Sequence, residues 1–587
     1  MDRRPAGTPY FWRYFRMFIA PHRTVVALLT VNILVRVTLG LWWPYANKTM
    51  VDRVLATEHW SWHIGMLVLG IGYIIFFVNS FLVFLFNRVL FGLLVVVTQH
   101  ARTTLAEHLL RLSRKFYDAS HAGRLLTTAL GDPAAITHVM TAGMINTLAN
   151  ALIVLGGYII LVRMSLPLTL AITAVFPGMV AAFFWLRPKM RDMSERIREN
   201  WGILSGMVAE KVGAVRIVRS FAAEDLEADR FGKRVNRHRD LHVEYNRYSS
   251  IYGFINGILI HIGFVIVFVY GGKLYLEGRS TLGTVVAFYG YFLSLFPAVL
   301  AVCNMPQMVA QATGSLTKVF RLLDEPVDIS SPPGAARLAE PIREISFEKV
   351  SFRYAPELPL ALRNVSVSFK AGEKVGVIGP SGSGKSTLMA LMMRYYDPTE
   401  GRVLVNGRDL REWDIASVRR AFGLVPQEVI LFSGTIRENV LYTQGSRSDA
   451  EVWKALDDSM ASGFVREHPE GLETVIGERG VSMSGGQKQR LSIARALLTD
   501  PEVLVLDSCT SALDGETEQK LLATLRAFIK GGTAVIVSHR VGSVMDCDRI
   551  LVMDAGRVVE EGNPAKLRDE HGYFADIHRQ QSALFPS

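Results

Sequence analysis

The feature that most constrains this chain is a set of six apolar stretches, each long enough to cross a membrane. They cover residues 24–46, 63–86, 145–162, 166–186, 251–275 and 282–303. The hydrocarbon core of a bilayer takes about 20 consecutive apolar residues as a helix, and a helix satisfies its own backbone hydrogen bonds inside lipid. The first half of this multidomain membrane protein is therefore predicted to be an all-α domain of six transmembrane helices.

The basic residues indicate orientation in the membrane rather than nucleic-acid binding. The formal net charge is +10, but Arg and Lys lie mainly on the segments that link apolar stretches, above all on residues 187–247. Because positively charged loops stay on the cytoplasmic side, both long loops and both termini are placed in the cytoplasm, and no nucleic-acid partner is expected. Cys303, Cys509 and Cys547 have no paired spacing, so neither disulfides nor a zinc site is supported.

Changes in composition divide the chain into four parts. Residues 1–22 mix aromatic and basic side chains and are predicted to form an amphipathic segment at the membrane surface. Residues 23–320 hold the six spans, and apolar residues that recur every three or four positions within 187–247 predict helices that continue into the cytoplasm. Residues 321–341 form a turn-rich linker. Residues 342–587 alternate strand-like and helix-like segments, which is typical of an α/β domain.

The strongest local motif is a glycine-rich loop between an apolar strand and a helix. It matches the phosphate-binding pattern Gly-x-x-x-x-Gly-Lys-Ser and continues into Thr387; its residues are Gly379, Pro380, Ser381, Gly382, Ser383, Gly384, Lys385 and Ser386. In such a loop backbone N–H groups surround the phosphates, Lys385 reaches the β- and γ-phosphates and Ser386 ligates Mg²⁺. A chance glycine-rich turn is the alternative. The surrounding strand and helix favour an α/β P-loop ATPase domain that binds ATP and Mg²⁺.

Two further segments offer groups that a phosphate site needs. Residues 503–507 indicate a buried strand that ends in Asp507, a carboxylate suited to directing Mg²⁺. A second segment precedes a helix-like run and offers another helix start for an anion; its residues are Ser484, Gly485, Gly486 and Gln487. Taken alone, the first segment is a weak signal and the second is an ordinary capped helix.

Together these motifs resemble the ATP-binding-cassette (ABC) family, and the six-span pattern in front of them resembles its exporter half-transporters. The resemblance covers nearly the whole chain. It implies ATP-driven export by a dimer, because each ATP site of this family combines the phosphate loop of one ATPase domain with the signature of the other. Residues 116–118 with 123–125, and residues 218–221, lie where these exporters place the coupling helices that dock on the ATPase domains.

The resemblance also assigns roles to individual residues. It implies that Tyr354 stacks on adenine, and that Ser484 to Gln487 form the signature that closes on the partner's ATP. Asp514 would be the inter-subunit aspartate. The expected catalytic residues are Gln427, Asp507 and the switch histidine His539. The expected Mg²⁺ ligands are Ser386, Gln427 and Asp507.

One departure from the family pattern concerns catalysis. Relatives carry a glutamate directly after the strand-ending aspartate, whereas Ser508 follows Asp507 here. A serine hydroxyl is not ionised near neutral pH, so general-base assistance, commonly worth about 10²–10⁴-fold, is expected to be missing. With the signature intact, the sequence favours a heterodimer with a glutamate-bearing half-transporter. A slow homodimeric exporter and an ATP-gated regulatory or channel-like protein are the alternatives.

The sequence leaves the substrate open between a lipid, a drug-like amphiphile and a peptide. Contact with membrane lipid and a place in a bacterial inner membrane are expected. Arg36 lies near the middle of the first apolar stretch, and His261 is similarly placed in the fifth. An ionisable group at that depth is costly unless it meets water, a partner or a ligand. Arg36 therefore either lines a cavity that favours an anionic amphiphile or pairs with carbonyl groups of a neighbouring helix.

Overall fold

The computed structural model describes residues 7–55, 62–120, 122–445, 447–477, 481–508 and 532–584. These residues divide into two compact units. The first comprises the described residues up to Leu109 together with Gly123–Asp324. The second comprises Leu110–Ala122 together with the described residues from Glu325 onward. A short part of the segment between the second and third apolar stretches, Leu110–Ala122, thus belongs to the same unit as the C-terminal half of the chain.

Six helical stretches of the first unit are long and apolar enough to span a membrane, which confirms the predicted architecture. Their bounds are Pro9–Arg53, Gly70–Arg111, Thr127–Met164, Leu166–Gly213, Glu224–Leu276 and Leu282–Leu323. The last stretch has 42 residues. At about 1.5 Å per residue it is roughly 63 Å long, about twice the thickness of the hydrocarbon core. The helices therefore continue beyond the apolar part of the bilayer.

The α-helices that precede the linker are joined in several places by short π-helical turns, such as Val139–Gly143 and Ile266–Tyr270. The α-helices of this part of the chain are α1 (Gly7–Tyr14), α2 (Arg23–Met50), α3 (Trp62–Arg111), α4 (Arg114–Asp118), α5 (Ala122–Leu126), α6 (Asp132–His138), α7 (Met144–Met164), α8 (Leu166–Thr173), α9 (Val175–Gly213), α10 (Val215–Ser220), α11 (Glu224–Val265), α12 (Gly271–Leu276) and α13 (Leu282–Leu323).

Apolar side chains of the first unit lie both inside the bundle and on its outside. Phe288, Tyr291 and Phe292 of α13 are fully buried in one apolar cluster with residues of α7, α8, α9 and α12. Phe77 and Phe91 of α3, by contrast, are 67% and 68% exposed. Large apolar side chains on the outer face of a helix bundle are costly in water and suited to lipid. The surface of this unit therefore fits a membrane.

The second unit contains an α/β domain, as the alternating segments predict. Its strands are β1 (Glu344–Phe352), β2 (Leu362–Lys370), β3 (Lys374–Ile378), β4 (Glu400–Val405), β5 (Arg408–Asp409), β6 (Phe422–Val425), β7 (Gly434–Thr435), β8 (Val475–Ile476), β9 (Val503–Asp507), β10 (Thr533–Val537), β11 (Arg549–Asp554) and β12 (Arg557–Gly562). Its helices after the linker are α14 (Lys385–Met392), α15 (Ile415–Arg420), α16 (Ile436–Leu441), α17 (Asp449–Asp458), α18 (Ser462–Glu467), α19 (Gly485–Leu498), α20 (Pro564–Asp569) and α21 (Tyr573–Leu584).

The largest sheet of this unit has six strands in the order β12-β11-β3-β10-β9-β6. All neighbours are parallel except β12, which pairs antiparallel with β11. The four residues Val503, Leu504, Val505 and Leu506 of β9 are at most 2% exposed, since both faces of a central parallel strand are covered. Carboxyl ends of parallel strands meet at one edge of a sheet. The segments that follow β3, β6, β9 and β10 are therefore brought together there.

Candidate functional site

The phosphate-binding motif forms the turn between β3 and α14. Gly384 precedes the helix with φ 105°, in the left-handed region, and a Cβ added there would lie 2.8 Å from the carbonyl oxygen of Ala361. Glycine meets both requirements without strain. No side chain of the described residues caps the start of α14, and the first N–H groups of a helix have no intrahelical acceptor. The loop and the helix start thus form a site for an anion.

Lys385 is folded back onto the loop that precedes it. Its Nζ donates hydrogen bonds to the carbonyl oxygens of Gly379 and Pro380, at 2.9 and 2.8 Å, and the residue is 5% exposed. Burial lowers the pKa of Lys385, and the nearby charge of Asp507 opposes that shift. The buried ammonium group of Lys385 is therefore held by two loop carbonyls. Phosphate oxygens bound in the loop would compensate its positive charge more fully than these carbonyls do.

Ser386 and Asp507 lie next to each other. The Ser386 side chain hydrogen-bonds to the Asp507 carboxylate. Burial raises the pKa of Asp507, while this hydrogen bond and the charges of Lys385 and His539 oppose the rise. Hydroxyl and carboxylate oxygens are the hard donors that Mg²⁺ prefers. The pair therefore fits a Mg²⁺ ion bound together with a phosphate.

The residues after β6 and β10 lie at the same edge. Gln427, two residues beyond β6, lines the cavity that Asp507 also lines. His539, two residues beyond β10, is hydrogen-bonded to the backbone of Gly379. Burial lowers the pKa of His539, and the Lys385 charge lowers it further. The structure thus brings together the predicted loop lysine, the strand-ending aspartate, the glutamine and the histidine.

The cavity beside the phosphate loop has a volume of about 840 Å³ and is lined by Tyr354, Ser386, Gln427 and Asp507, among others. Its volume is within the range of small-molecule sites. Tyr354 is 38% exposed, and its hydroxyl oxygen lies 2.9 Å from Oγ1 of Thr387. Part of the aromatic ring is therefore accessible at the cavity wall, as adenine stacking requires.

Tyr396, which none of the sequence motifs indicates, lines the same cavity. Its ring packs edge-on against Tyr354, with 5.3 Å between ring centroids. Its hydroxyl donates to the carboxylate of Asp118 in α4. Burial raises the pKa of Tyr396, and the hydrogen bond with Asp118 adds to that rise. The one available signal is the tyrosine pair 395–396 shortly after the phosphate-loop helix.

Ser508 holds an uncommon backbone conformation. Its φ is 49°, in the left-handed region that few residues other than glycine adopt. Its N–H donates to the carbonyl oxygen of Val537 at 2.9 Å, and the residue is 8% exposed. The residue directly after Asp507 is therefore a buried neutral serine.

The signature segment forms the start of α19. The N–H of Gln487 donates to the Ser484 hydroxyl at 3.2 Å, and the N–H of Ser484 donates to Oε1 of Gln487 at 2.8 Å, which is a reciprocal capping box. The helix begins at Gly485, and both Ser484 and Gly485 are exposed. Asp514 lies outside the described residues.

Comparisons with known proteins match both parts of the chain. The family described as ABC transporter transmembrane region matches residues 26–299, and the family described as ABC transporter matches residues 362–511.

Two relatives and one solved structure match nearly the whole chain. A Staphylococcus aureus protein, named as a candidate multidrug export ATP-binding/permease protein, is 31% identical over 97% of this chain and 99% of its own length. YknU of Bacillus subtilis, named as an uncharacterized ABC transporter ATP-binding protein, is 29% identical over 97% of each chain. The structure of a bacterial Atm1-family ABC exporter with ATP bound has a TM-score of 0.82 at 26% identity, covering 96% of this chain and 99% of that chain.

Proposed function

This chain belongs to the ABC transporter family, and from that premise we propose that it is one half of a dimeric exporter whose own ATP site turns over slowly. It is a multi-pass inner-membrane protein with a cytoplasmic ATPase domain. The proposed substrate is a lipid, a drug-like amphiphile or a peptide. The name of the Staphylococcus aureus relative refers to multidrug export, which favours an amphiphile among these three.

One observation carries the proposal: a well-formed phosphate site is followed by a buried neutral residue at Ser508. Lys385, Ser386 and Asp507 converge at the carboxyl edge of the sheet, so binding and charge compensation are provided for. Hydrolysis also needs a group that accepts a proton from the attacking water. Ser508 does not supply a carboxylate for that step, and we therefore propose tight ATP binding with slow hydrolysis.

The residues of the phosphate site have separate tasks in this proposal. Lys385 exchanges its loop carbonyls for phosphate oxygens, and the N–H groups at the start of α14 hold the same phosphates. Ser386 and Asp507, with Gln427, would hold Mg²⁺, which when bound neutralises charge on the phosphates. The lowered pKa of His539 keeps its ring neutral at physiological pH, so that it is able to donate one hydrogen bond and accept another. Tyr354 offers a ring face to adenine.

The signature would serve a second protomer. Ser484 and Gly485 are exposed at the start of α19, where the helix dipole favours a negative ligand. This surface would cover an ATP molecule bound by the phosphate loop of the partner. Asp514 would contribute a contact between the two subunits. Because this signature is intact while the glutamate position holds Ser508, we favour a heterodimer with a glutamate-bearing half-transporter.

The experiment that tests the proposal compares this protein alone with this protein and candidate half-transporters in liposomes. ATPase activity and movement of a fluorescent amphiphile are measured together. We expect both activities to need a glutamate-bearing partner. Equal activity of the protein alone would favour the slow homodimeric exporter. ATP binding that opens a conductance without turnover would favour the ATP-gated protein instead.

A further inference from the structure

A polar cavity of about 290 Å³ lies among the membrane-spanning helices α2, α3, α7 and α13. Arg36 of α2 lines this cavity, and the other polar side chains of its wall are Asn79, Asn146, Asn150, Tyr291 and Ser294. We propose that Arg36 and this cavity bind the anionic head group of the transported amphiphile. The inference rests on the proposed function, because it names the substrate class of that exporter.

Within the described part of the first unit, the charge of Arg36 has no fixed counter-ion. None of the six apolar stretches contains Asp or Glu, and no carboxylate is present among the described residues that line the cavity. Among the described residues the guanidinium forms no ion pair, and its Nε is buried without a hydrogen-bond partner. Among the described residues, no hydrogen bond joins the Arg36 guanidinium to a carbonyl group of a neighbouring helix, which is the other interpretation of the sequence. An unpaired cation inside a membrane domain is costly and marks a functional site.

The surroundings of Arg36 favour one occupant. The guanidinium lies 5.2 Å from the ring centroid of Phe86, a cation–π contact that gives partial compensation. Hydrogen-bonding side chains complete the wall. The Tyr291 hydroxyl of α13 donates to the Leu41 carbonyl of α2 at 2.6 Å, and the Asn150 amide donates to the Asn146 carbonyl within α7 at 2.8 Å. A planar guanidinium binds carboxylate or phosphate through two parallel hydrogen bonds.

The size of the cavity limits what it holds. A volume of about 290 Å³ is at the lower end of small-molecule sites, so it suits a head group rather than a whole amphiphile. The exposed apolar side chains of the neighbouring helices are compatible with a hydrocarbon tail that stays in the bilayer. His261, which the sequence places at a similar depth, lines a different and apolar groove, and its Nδ1 is hydrogen-bonded to the carbonyl of Gly257 at 2.8 Å. It does not contribute to this site.

The test measures binding in the absence of ATP. The full-length protein is placed in phosphatidylcholine nanodiscs and titrated with radiolabelled dodecyl phosphate and, separately, dodecyltrimethylammonium. We expect Arg36→Gln to weaken dodecyl phosphate binding at least tenfold and to leave dodecyltrimethylammonium binding unchanged. Lys273→Gln is the matched control, because Lys273 is a basic residue of the fifth stretch, lies outside the cavity and pairs with Glu277. It should change neither affinity.

Competition identifies the source of the anionic group. Displacement of dodecyl phosphate by phosphatidic acid in the nanodisc supports a lipid head group, whereas displacement by inorganic phosphate supports a soluble anion. Equal affinities of wild type and Arg36→Gln would overturn the proposal, and so would a loss of dimerisation in Arg36→Gln with binding unchanged. If Arg36→Gln does not assemble, Arg36→Lys and Asn150→Leu replace it. Wild-type affinity for dodecyl phosphate in both of these variants would likewise overturn the proposal.

A second measurement separates this inference from the proposed function. ATP-driven uptake of dodecyl phosphate is followed in inside-out vesicles that contain the protein with its partner. Saturable, Arg36-dependent binding without ATP-driven uptake would refute the exporter and leave the site standing. ATP-driven uptake that Arg36→Gln leaves unchanged would refute the site and leave the exporter standing.

Discussion

The phenolic hydroxyl of Tyr396 donates a hydrogen bond to the carboxylate of Asp118, and this contact joins α4 to the wall of the nucleotide cavity. Tyr396 packs edge-on against Tyr354, whose hydroxyl meets Thr387 in the phosphate-loop helix. A continuous set of contacts therefore runs from the segment between the second and third spans to the first turn of α14. We therefore expect nucleotide binding to be linked to the position of that segment through these contacts, which the next variants test.

Tyr396→Phe should weaken this link while leaving ATP binding nearly intact. The change removes one hydrogen bond to a charged group, worth about 1.5 kcal/mol, and keeps the ring packing. We expect transport per ATP hydrolysed to fall several-fold, measured as the ratio of tracer movement to phosphate release in liposomes. Tyr395→Phe is the matched control, since the ring of Tyr395 packs under the guanidinium of Arg419. Equal ratios in both variants would mean that the Asp118 contact is not used in coupling.

Lys385→Ala should abolish ATP-driven transport without affecting membrane insertion. Lys385 supplies the buried positive charge that holds the phosphates of an ATP lying between the two ATPase domains, so its loss should prevent ATP-dependent closure of these domains, although this site hydrolyses ATP rarely. ATP-dependent tracer uptake and protein yield in the membrane fraction are the two measurements. Lys370→Ala, which removes an exposed lysine at the end of β2, is the control and should behave like wild type. Uptake by Lys385→Ala at the wild-type rate in saturating ATP would contradict the assignment of this loop.

Asp507 should make the stability of the nucleotide-free protein depend on pH. Burial raises the pKa of Asp507 above 3.8, so the folded protein holds this proton more tightly than the unfolded chain does. Its contribution to stability is therefore present at low pH and is lost as pH rises through the raised pKa. In the Asp507→Asn variant the side chain at this position stays neutral over the whole pH range. We expect this variant to have the higher thermal midpoint at pH 7.5 without nucleotide, and the difference to narrow as pH falls towards 4.5.

Differential scanning fluorimetry of the nucleotide-free protein in nanodiscs provides this measurement. Asp409→Asn serves as the control, because hydrogen bonds from Arg411 outweigh burial and hold the pKa of Asp409 below 3.8. Asp409 therefore stays ionised in both the folded and the unfolded chain from pH 7.5 to pH 4.5, and its difference from Asp409→Asn should stay nearly constant over that range. A gap between wild type and Asp507→Asn that does not change with pH would show that the buried carboxylate is not the cause.

The sequence predicts the edge of the sheet better than it predicts the contacts around it. Lys385, Asp507, Gln427 and His539 converge because each follows or ends a parallel strand, and strand patterns are local. The partnership of Tyr396 with Asp118 joins positions 278 residues apart, and no local pattern encodes such a distance. No sequence motif predicts that the Lys385 ammonium group folds back onto its own loop, because this conformation depends on burial and on loop carbonyls in the folded domain.

In the membrane-spanning part too, the sequence predicts the elements better than it predicts the contacts between them. Hydropathy predicts six spans, since a bilayer imposes one length and one composition on each of them. It does not show that Arg36 shares a cavity with asparagine side chains of two other helices, because helix packing decides which faces meet. The role of Asp514 stays a prediction, as this residue lies outside the described part of the chain.

The last prediction concerns the two ATP sites of the proposed heterodimer. The site built on Lys385 and Asp507 should bind ATP tightly and hydrolyse it rarely, because charge compensation is present and the base is absent. The partner's site, completed by Ser484 to Gln487, should carry nearly all turnover. Removing the partner's glutamate should therefore stop hydrolysis, and Ser484→Arg should do nearly the same by blocking closure on the partner's ATP. An altered signature in the partner is expected opposite the slow site.

Substitutions at Ser508 make this asymmetry measurable. Ser508→Ala should change the ATPase rate of the purified complex by less than twofold, since a serine hydroxyl does not accept a proton from the attacking water near neutral pH. Ser508→Glu should add hydrolysis at the slow site, detectable as activity that survives removal of the partner's glutamate. Ser508→Gln introduces a side chain of the same size as glutamate but without the charge, and it should not add hydrolysis at the slow site. If Ser508→Ala lowered the rate as severely as removing the partner's glutamate, Ser508 would itself be catalytic, and the asymmetric arrangement would be wrong.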